Sequence, residues 1–185
     1  MRKEQVKNLI LSAMFLAIGL VLPLFTGRIP NFGKMLLPMH IPVFLCGLIC
    51  GGKYGALVGF LVPLLSFTFF GSPALYPSAV GMSFELATYG AISGSVYREK
   101  NDTAWLYIAM IAAMFAGRIV WGVMRAVLLG VEGKLFTFEM FVATAIIEAI
   151  PGIVLQFALI PAIMSALQYV KNRKGKKHDK ISVQK

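Results

Sequence analysis

The chain is poor in the side chains on which most enzymes and metal sites depend. Its 185 residues include two histidines, His40 and His178, and two cysteines, Cys46 and Cys50. It contains neither a His-Glu-x-x-His metal motif nor a Gly-x-x-x-x-Gly-Lys-Ser/Thr phosphate loop. The cysteines are four residues apart in one apolar segment, which favours packing over a disulfide or a metal site. We therefore expect no enzymatic activity, no bound metal and no cofactor.

Charge is also scarce. Charged residues make up 14% of the chain and hydrophobic residues 58%, with a mean hydropathy of +0.76. Soluble domains are nearer 45–50% apolar, so this composition is typical of a membrane protein. The sequence shows no internal repeat and no second soluble domain, and we expect one domain.

Six apolar segments follow one another along the chain. Breaks rich in glycine, proline or charge separate them. They cover approximately residues 8–25, 38–51, 56–70, 78–97, 103–128 and 138–170. The last is longer than one crossing, so we expect kinks at Pro151 and Pro161. The fold class predicted is all-α: a compact bundle of six transmembrane helices in residues 1–170, followed by a basic cytoplasmic tail, 171–185.

The distribution of lysine and arginine predicts the orientation. With both termini in the cytoplasm, the cytoplasmic side carries thirteen of these residues, seven of them in the tail, and the outer loops carry three, Arg28, Lys34 and Lys134. Such a bias is typical of cytoplasmic flanks. The tail follows a long apolar segment, which favours contact with anionic lipid headgroups over nucleic acid. We predict a multi-pass protein of the bacterial cell membrane.

Four charged residues lie three or more residues from either end of an apolar segment: Glu85, Arg118, Arg125 and Glu148. A charge in hydrocarbon costs about 2.5–3.5 kcal/mol on insertion scales, so such groups pair, face a cavity or bind a polar ligand. Counting ~1.5 Å per helical residue places all four in the outer half or the middle of the membrane. By that count Arg118 and Glu148 form a buried ion pair, which either binds ligand or only ties two helices together. Arg125 either binds ligand or extends to the outer interface.

Polar and aromatic residues lie near the same depth. They are Tyr76, Ser83, Tyr89, Trp121 and Gln156. Aromatic walls with a few polar groups suit a small ligand. His40, at the outer start of the second segment, is either a packed interfacial residue or a ligand contact. The loop 26–37 beside it, with Asn31 near its tip, is long enough to close over a pocket.

Several motifs give the chain a family resemblance from about residue 8 to 165. They are the pair Ala13-x-x-x-Ala17, the segment Leu37-Pro38-Met39-His40-Ile41-Pro42, the segment Glu85-Leu86-Ala87-Thr88-Tyr89-Gly90 and the segment Gly117-Arg118-Ile119-Val120-Trp121-Gly122. With six compact spans and a basic tail, the chain resembles the substrate-binding S components of energy-coupling factor (ECF) vitamin transporters. The segments are most similar to the pantothenate-type branch.

The resemblance implies a function and a set of partners. An S component binds a vitamin from outside and associates with a transmembrane coupling subunit and two cytoplasmic ATPases, as part of an ATP-driven importer of the ABC type. Ala13 and Ala17 would face the coupling subunit, and the first loop would act as a lid. The predicted substrate-binding residues are Asn31, His40, Glu85, Tyr89, Arg118, Trp121, Arg125 and Glu148.

Alternatives remain open at this point. Pantothenate suits an arginine that binds its carboxylate, whereas pyridoxine or a hydroxymethylpyrimidine would depend more on stacking against Trp121 and Tyr89. A different class is an intramembrane enzyme subunit that uses Glu85 or Glu148 as a base. A third is a structural membrane protein whose charges only pair with one another.

Overall fold

The described residues, 2–26, 38–97 and 102–183, form helices and turns in a computed structural model of the chain, and these ranges contain no strand. The seven α-helices are α1 Arg2–Thr26, α2 His40–Cys50, α3 Gly52–Phe70, α4 Val80–Tyr97, α5 Thr103–Val131, α6 Phe138–Val142 and α7 Ile150–Val183. Two π-helical turns precede α4 and α7, at Leu75–Ala79 and Ala143–Ile147. The all-α prediction is confirmed. Asn31 and the rest of the predicted lid, 27–37, lie outside the described residues.

Four of the described helices are long and apolar enough to cross a membrane. They cover Lys3–Phe25, Gly52–Phe70, Thr103–Val131 and Ile150–Val170. At 11 residues α2 extends ~16 Å, short of the ~30 Å hydrocarbon layer. α4 has 18 residues but carries Glu85. Both helices are largely buried in the bundle. The six-span count and the orientation of the termini stay predictions.

A single residue joins α2 to α3. Gly51 has φ 99° and ψ 161°, a conformation that side-chain-bearing residues rarely adopt. Its amide donates to the carbonyl of Gly47 at 3.0 Å. The sequence predicts a longer turn, over residues 51–55, and a third helix from residue 56. The helix instead begins at Gly52, because Gly52 and Gly55 pack their backbones directly against α4.

Close backbone packing joins α2, α3 and α4. A Cβ atom on Gly90 would lie 2.2 Å from the carbonyl carbon of Gly55, and one on Gly55 would lie 2.6 Å from the Cα of Gly47. One on Gly59 would lie 2.3 Å from the carbonyl oxygen of Leu86. No methyl group fits at these positions. We call Gly47, Gly55, Gly59, Gly90 and Gly94 the glycine seam; it holds three helices in a fixed arrangement.

The last predicted segment is interrupted. α6 ends at Val142, a π-helical turn and a short turn at Glu148–Ala149 follow, and α7 begins at Ile150. Pro151 therefore stands in the first helical turn, where its missing N–H breaks no hydrogen bond, and the chain is interrupted just before it instead of kinking within one helix. Beyond Pro161, α7 continues through residue 170 to Val183. The domain boundary at 170 stays a prediction.

Candidate functional site

Glu85 is the centre of the polar site. It is 2% exposed, and its Oε1 atom lies 3.0 Å from Nη1 of Arg118 on α5. The hydroxyl of Tyr89, one turn further along α4, donates to the same oxygen at 2.9 Å. His40, the first residue of α2, places Nε2 3.8 Å from it. We call His40, Glu85, Tyr89 and Arg118 the polar cluster; three helices contribute to it.

Packing around Tyr89 positions this cluster. The Tyr89 ring stacks on Phe44 at 5.0 Å between centroids and lies 5.3 Å from the ring of His40. On its other side is Gly117, where a Cβ atom would fall 2.1 Å from Cε1 of Tyr89. The absence of a side chain at Gly117 lets α5 approach α4 closely. The next residue, Arg118, then reaches Glu85.

Several buried polar atoms in the cluster lack a hydrogen-bond partner among the described residues. They are both ring nitrogens of His40 and Nε of Arg118; Nε2 of Gln156 on α7 is in the same state. A buried polar group without a partner costs about 1–3 kcal/mol, so native proteins rarely keep one without a reason. Glu85 and Arg118 neutralise each other's charge. The cluster can therefore form further hydrogen bonds, but the charges of its ion pair are already balanced.

A second polar group lies further along α5. Nη1 of Arg125 donates to Oγ of Ser78 at 3.3 Å, and its guanidinium carbon lies 5.6 Å from the centre of the Trp121 ring. We call Ser78, Trp121 and Arg125 the arginine–tryptophan group. Trp121 is 9% exposed and contacts the rings of Phe136 and Phe141.

Arg125 is half-buried and makes no ion pair with a carboxylate in the described parts of the chain. Lys134, in the turn after α5, differs in this respect. Its Nζ lies 2.8 Å from Oε2 of Glu132, and this hydrogen bond raises the pKa of Lys134. Because Lys134 is already paired and Arg125 is not, Arg125 is the better anchor for an anionic ligand.

The two groups lie on one face of the α4–α5 pair. Four contacts follow one another in antiparallel order along the two chain segments. Ser78 contacts Arg125, and Gly81 lies beside Trp121. Further along, Glu85 contacts Arg118, and Tyr89 packs against Gly117. Arg118 and Arg125 are seven residues apart, two helical turns or ~10 Å along α5. The two cationic side chains therefore lie at successive positions along one helix–helix seam.

One sequence-based pairing is wrong. Arg118 pairs with Glu85, whereas Glu148 is exposed in the turn before α7. The depth count treats residues 138–148 as part of one regular helix, and the π-helical turn at Ala143–Ile147 breaks that regularity. A role for Glu148 in substrate binding stays a prediction. Of the other predicted site residues, the structure brings together the polar cluster and places Trp121 and Arg125 beside it along α5.

Some contributing residues are not evident from the sequence. Phe44, Gly117 and Ser78 orient the site without carrying a charge. Ser78 lies in the π-helical turn before α4, so helical periodicity counted from Glu85 does not fix its position. Gly117 gives no signal of its own, because a glycine in an apolar helix has many uses.

Two surfaces outside this site also bear on function. Ala13 and Ala17 are exposed on α1, flanked by the exposed apolar residues Ile10, Met14 and Ile18. Their predicted contact with a coupling subunit stays a prediction. Separately, a cavity of about 260 Å³ lies between the end of α1, the residue before α2 and the end of α3; it is lined by Pro23, Leu24, Met39, Ser66, Phe70 and Ser72. None of its lining residues belongs to the predicted site.

The described residues contain no group of three or more histidine, cysteine or acidic side chains close enough to hold a metal ion. Cys46 and Cys50 are free and buried, and the Cys46 thiol lies 3.6 Å from Oγ of Ser12.

Comparison with protein families gives one match of nearly full length. Residues 7–170 match the family described as "ECF transporter, substrate-specific component". No curated protein and no solved structure matches the chain.

Proposed function

Because the chain belongs to the family of ECF transporter substrate-specific components, we propose that it captures a small water-soluble vitamin, with pantothenate as the first choice. Membership supports a substrate-binding subunit of a transporter, since the family is one of transporter components and not of enzymes. The long apolar helices agree with a multi-pass membrane protein. The identity of the vitamin is our inference from the site.

The observation that supports this proposal is the pattern of unused polar capacity inside an apolar bundle. The polar cluster is charge-balanced but retains unpartnered atoms on His40 and Arg118. Arg125 has no carboxylate partner in the described ranges and stands over an aromatic ring. Pantothenate carries a carboxylate, hydroxyls and an amide, which are the groups that such donors bind.

The site favours pantothenate over pyridoxine or a hydroxymethylpyrimidine. Those ligands would need an aromatic face for stacking. Tyr89 is 1% exposed and already stacked on Phe44. Trp121 is 9% exposed and contacts the rings of Phe136 and Phe141, so both rings are engaged. An intramembrane enzyme that used Glu85 as a base is also disfavoured, since Arg118 and Tyr89 both contact Oε1 of its carboxylate and stabilise its charged form.

The remaining parts of the proposal follow the family. We place both termini in the cytoplasm of a bacterial cell, count α2 and α4 among six spans, and let the site open outward. The excess of lysine and arginine on one side supports this orientation. Ala13 and Ala17, exposed on α1, would contact the coupling subunit, which works with two cytoplasmic ATPases. Asn31 and Glu148 would complete the substrate-binding set.

The test is direct binding to the purified, detergent-solubilised chain. We expect mass spectrometry to identify pantothenate among co-purifying molecules, and labelled pantothenate to bind in competition with unlabelled pantothenate but not with pyridoxine. Lys53→Gln, which removes an exposed positive charge at the start of α3, is the control and should bind normally. Displacement of the label by pyridoxine or a hydroxymethylpyrimidine would reject pantothenate, and absence of any bound vitamin would reject the proposed function.

A further inference from the structure

We infer that the substrate is an elongated monoanion bound along the α4–α5 seam, with its carboxylate on Arg125 and its hydroxyl or amide end at His40 and Nε of Arg118. This inference rests on the proposed function and adds the orientation and the charge of the ligand. It assigns the two arginines different roles, which their positions in the sequence do not distinguish.

Arg118 is not available for the carboxylate of a substrate. Its Nη1 lies 3.0 Å from Oε1 of Glu85, and Glu85 is 2% exposed. A substrate carboxylate that took this guanidinium would leave Glu85 buried without its counter-ion. Removing one partner from a buried ion pair is strongly destabilising. The pair therefore stays together, and Nε of Arg118 is a buried donor that has no partner among the described residues.

Arg125 is available for an anion. It is half-buried, its one side-chain hydrogen bond in the described residues goes to the neutral Ser78, and the Trp121 ring lies beneath its guanidinium. A planar guanidinium binds a carboxylate through two parallel hydrogen bonds. Ser78 and Trp121 restrict the side chain to one orientation, which lowers the entropy lost when the anion binds.

The polar cluster suits an uncharged polar group. The Nε–H of Arg118 can only donate, and a neutral His40 ring has one donor and one acceptor nitrogen. A hydroxyl or an amide carbonyl satisfies both residues, whereas a second anion would meet Glu85. Since Glu85 and Arg118 cancel, the described site carries a single positive charge, on Arg125. A monoanion therefore matches it better than a dianion or a cation.

The spacing of the two ends sets the length of the ligand. Arg118 and Arg125 lie two turns apart, ~10 Å along the helix axis, and on nearly the same face. A compact molecule reaches one end only. An extended chain with a carboxylate at one end and hydroxyls at the other reaches both.

The experiment compares two ligands on the full purified chain. One is pantothenate, and the other is its alcohol analogue, in which CH2OH replaces the carboxylate. We expect the wild-type chain to prefer pantothenate by about tenfold to a hundredfold, the usual contribution of a charge-assisted hydrogen-bonded pair. Arg125→Gln should remove this preference by weakening pantothenate far more than the alcohol, and thermal unfolding in detergent shows whether the variant is folded.

Three further variants test whether the preference for pantothenate depends on Arg125. Arg125→Lys should retain part of the preference, because an ammonium keeps the charge but loses the two-pronged geometry. Lys53→Gln should retain all of it. Glu85→Gln should weaken both ligands by a similar factor.

Each outcome decides between the two proposals. If Arg125→Gln keeps the preference for pantothenate, or if Arg118 variants alone remove it, the orientation is wrong and the proposed function stands. If the chain binds a neutral or cationic vitamin with an affinity that does not depend on Arg125, the inference that the substrate is a monoanion is also wrong. The role as a substrate-binding subunit would remain. Failure of the wild-type chain to bind any vitamin would overturn both.

Discussion

The two halves of α4 differ in how completely their surroundings are filled and hydrogen-bonded. Residues 90–97 contribute Gly90 and Gly94 to the glycine seam, where backbones touch and no atom can be added. Residues 80–89 carry Glu85 and Tyr89, where charges balance but neighbouring polar atoms remain unpartnered. The first arrangement leaves no space between the backbones, and the second leaves hydrogen-bonding groups without partners. A binding site needs a rigid support to hold groups in an unsatisfied state, and for the site proposed here one helix would provide both.

The largest effect should come from filling the glycine seam. Gly90→Leu places a branched side chain where even a Cβ atom would lie 2.2 Å from the backbone of Gly55. We expect a loss of more than about 4 kcal/mol in the free energy of unfolding, and little folded protein. Recovery of monodisperse protein by size-exclusion chromatography, followed by thermal unfolding in detergent, measures this.

Gly130→Ala is the matched control for this change. Gly130 lies near the end of α5, where an added Cβ atom would meet no neighbouring atom within 4 Å. The substitution should be neutral or stabilise the helix by up to about 1 kcal/mol. If Gly90→Leu were as stable as the wild-type chain, the seam would not be the rigid support described.

The next largest effect should separate stability from binding at the polar cluster. Arg118→Met leaves Glu85 buried without its partner, and we expect a loss of about 3–5 kcal/mol in unfolding free energy. The double variant Arg118→Met/Glu85→Leu removes both charges, and its stability should return to near the wild-type value. Thermal unfolding in detergent gives both comparisons.

Binding should not return with stability in the double variant. It lacks the Nε donor of Arg118 and the acceptor of Glu85, so labelled pantothenate should bind much more weakly. A double variant that recovers both stability and binding would show that the charges only tie the helices together, which is the structural alternative considered from the sequence.

Much of this arrangement is predictable, and the limits have physical causes. The apolar segments predict an all-helical chain, because their length and composition permit little else in a membrane. The four intramembrane charges draw attention to the site, since such residues are costly and rarely accidental. Arg118 and Glu85 lie on consecutive segments at similar depth. The same count of residues from the membrane surface can therefore predict their pairing.

Local backbone irregularity limits the rest. The pairing of Arg118 with Glu148 assumes a regular helix through residues where a π-helical turn occurs. The predicted turn at 51–55 is too long because composition does not distinguish a glycine that bends the chain, such as Gly51, from one that admits a neighbouring backbone, such as Gly55. Both uses of glycine depend on contacts that form only in the folded bundle.

Gly117→Ala should have a moderate effect, and it tests whether close helix packing affects the polar cluster. In Gly117→Ala the new methyl group would overlap the Tyr89 ring, so the ring must move and its hydrogen bond to Glu85 must lengthen or break. We expect a loss of about 1–3 kcal/mol in stability and about tenfold weaker binding of pantothenate. Equilibrium binding and thermal unfolding measure the two quantities.

Tyr89→Phe tests whether Gly117 acts through that hydrogen bond. This variant lacks the hydroxyl but keeps the ring that stacks on Phe44. Adding Gly117→Ala to it should weaken binding by less than the same change does in the wild-type chain. Equal effects in both backgrounds would mean that Gly117 affects the site by shifting α5 as a whole.

The smallest effect should come from Ser78→Ala. Oγ of Ser78 accepts a hydrogen bond from Arg125 at 3.3 Å, a long contact that orients the guanidinium without contributing charge. We expect pantothenate to bind about twofold to fivefold more weakly, and the alcohol analogue to bind as before, because only the carboxylate depends on that orientation. Ser95→Ala is the matched control, since the hydroxyl of Ser95 is exposed and donates to the carbonyl of Ala91 in its own helix. A loss shared equally by both ligands would mean that Ser78 contributes to packing before α4 and not to the anion-binding end of the site.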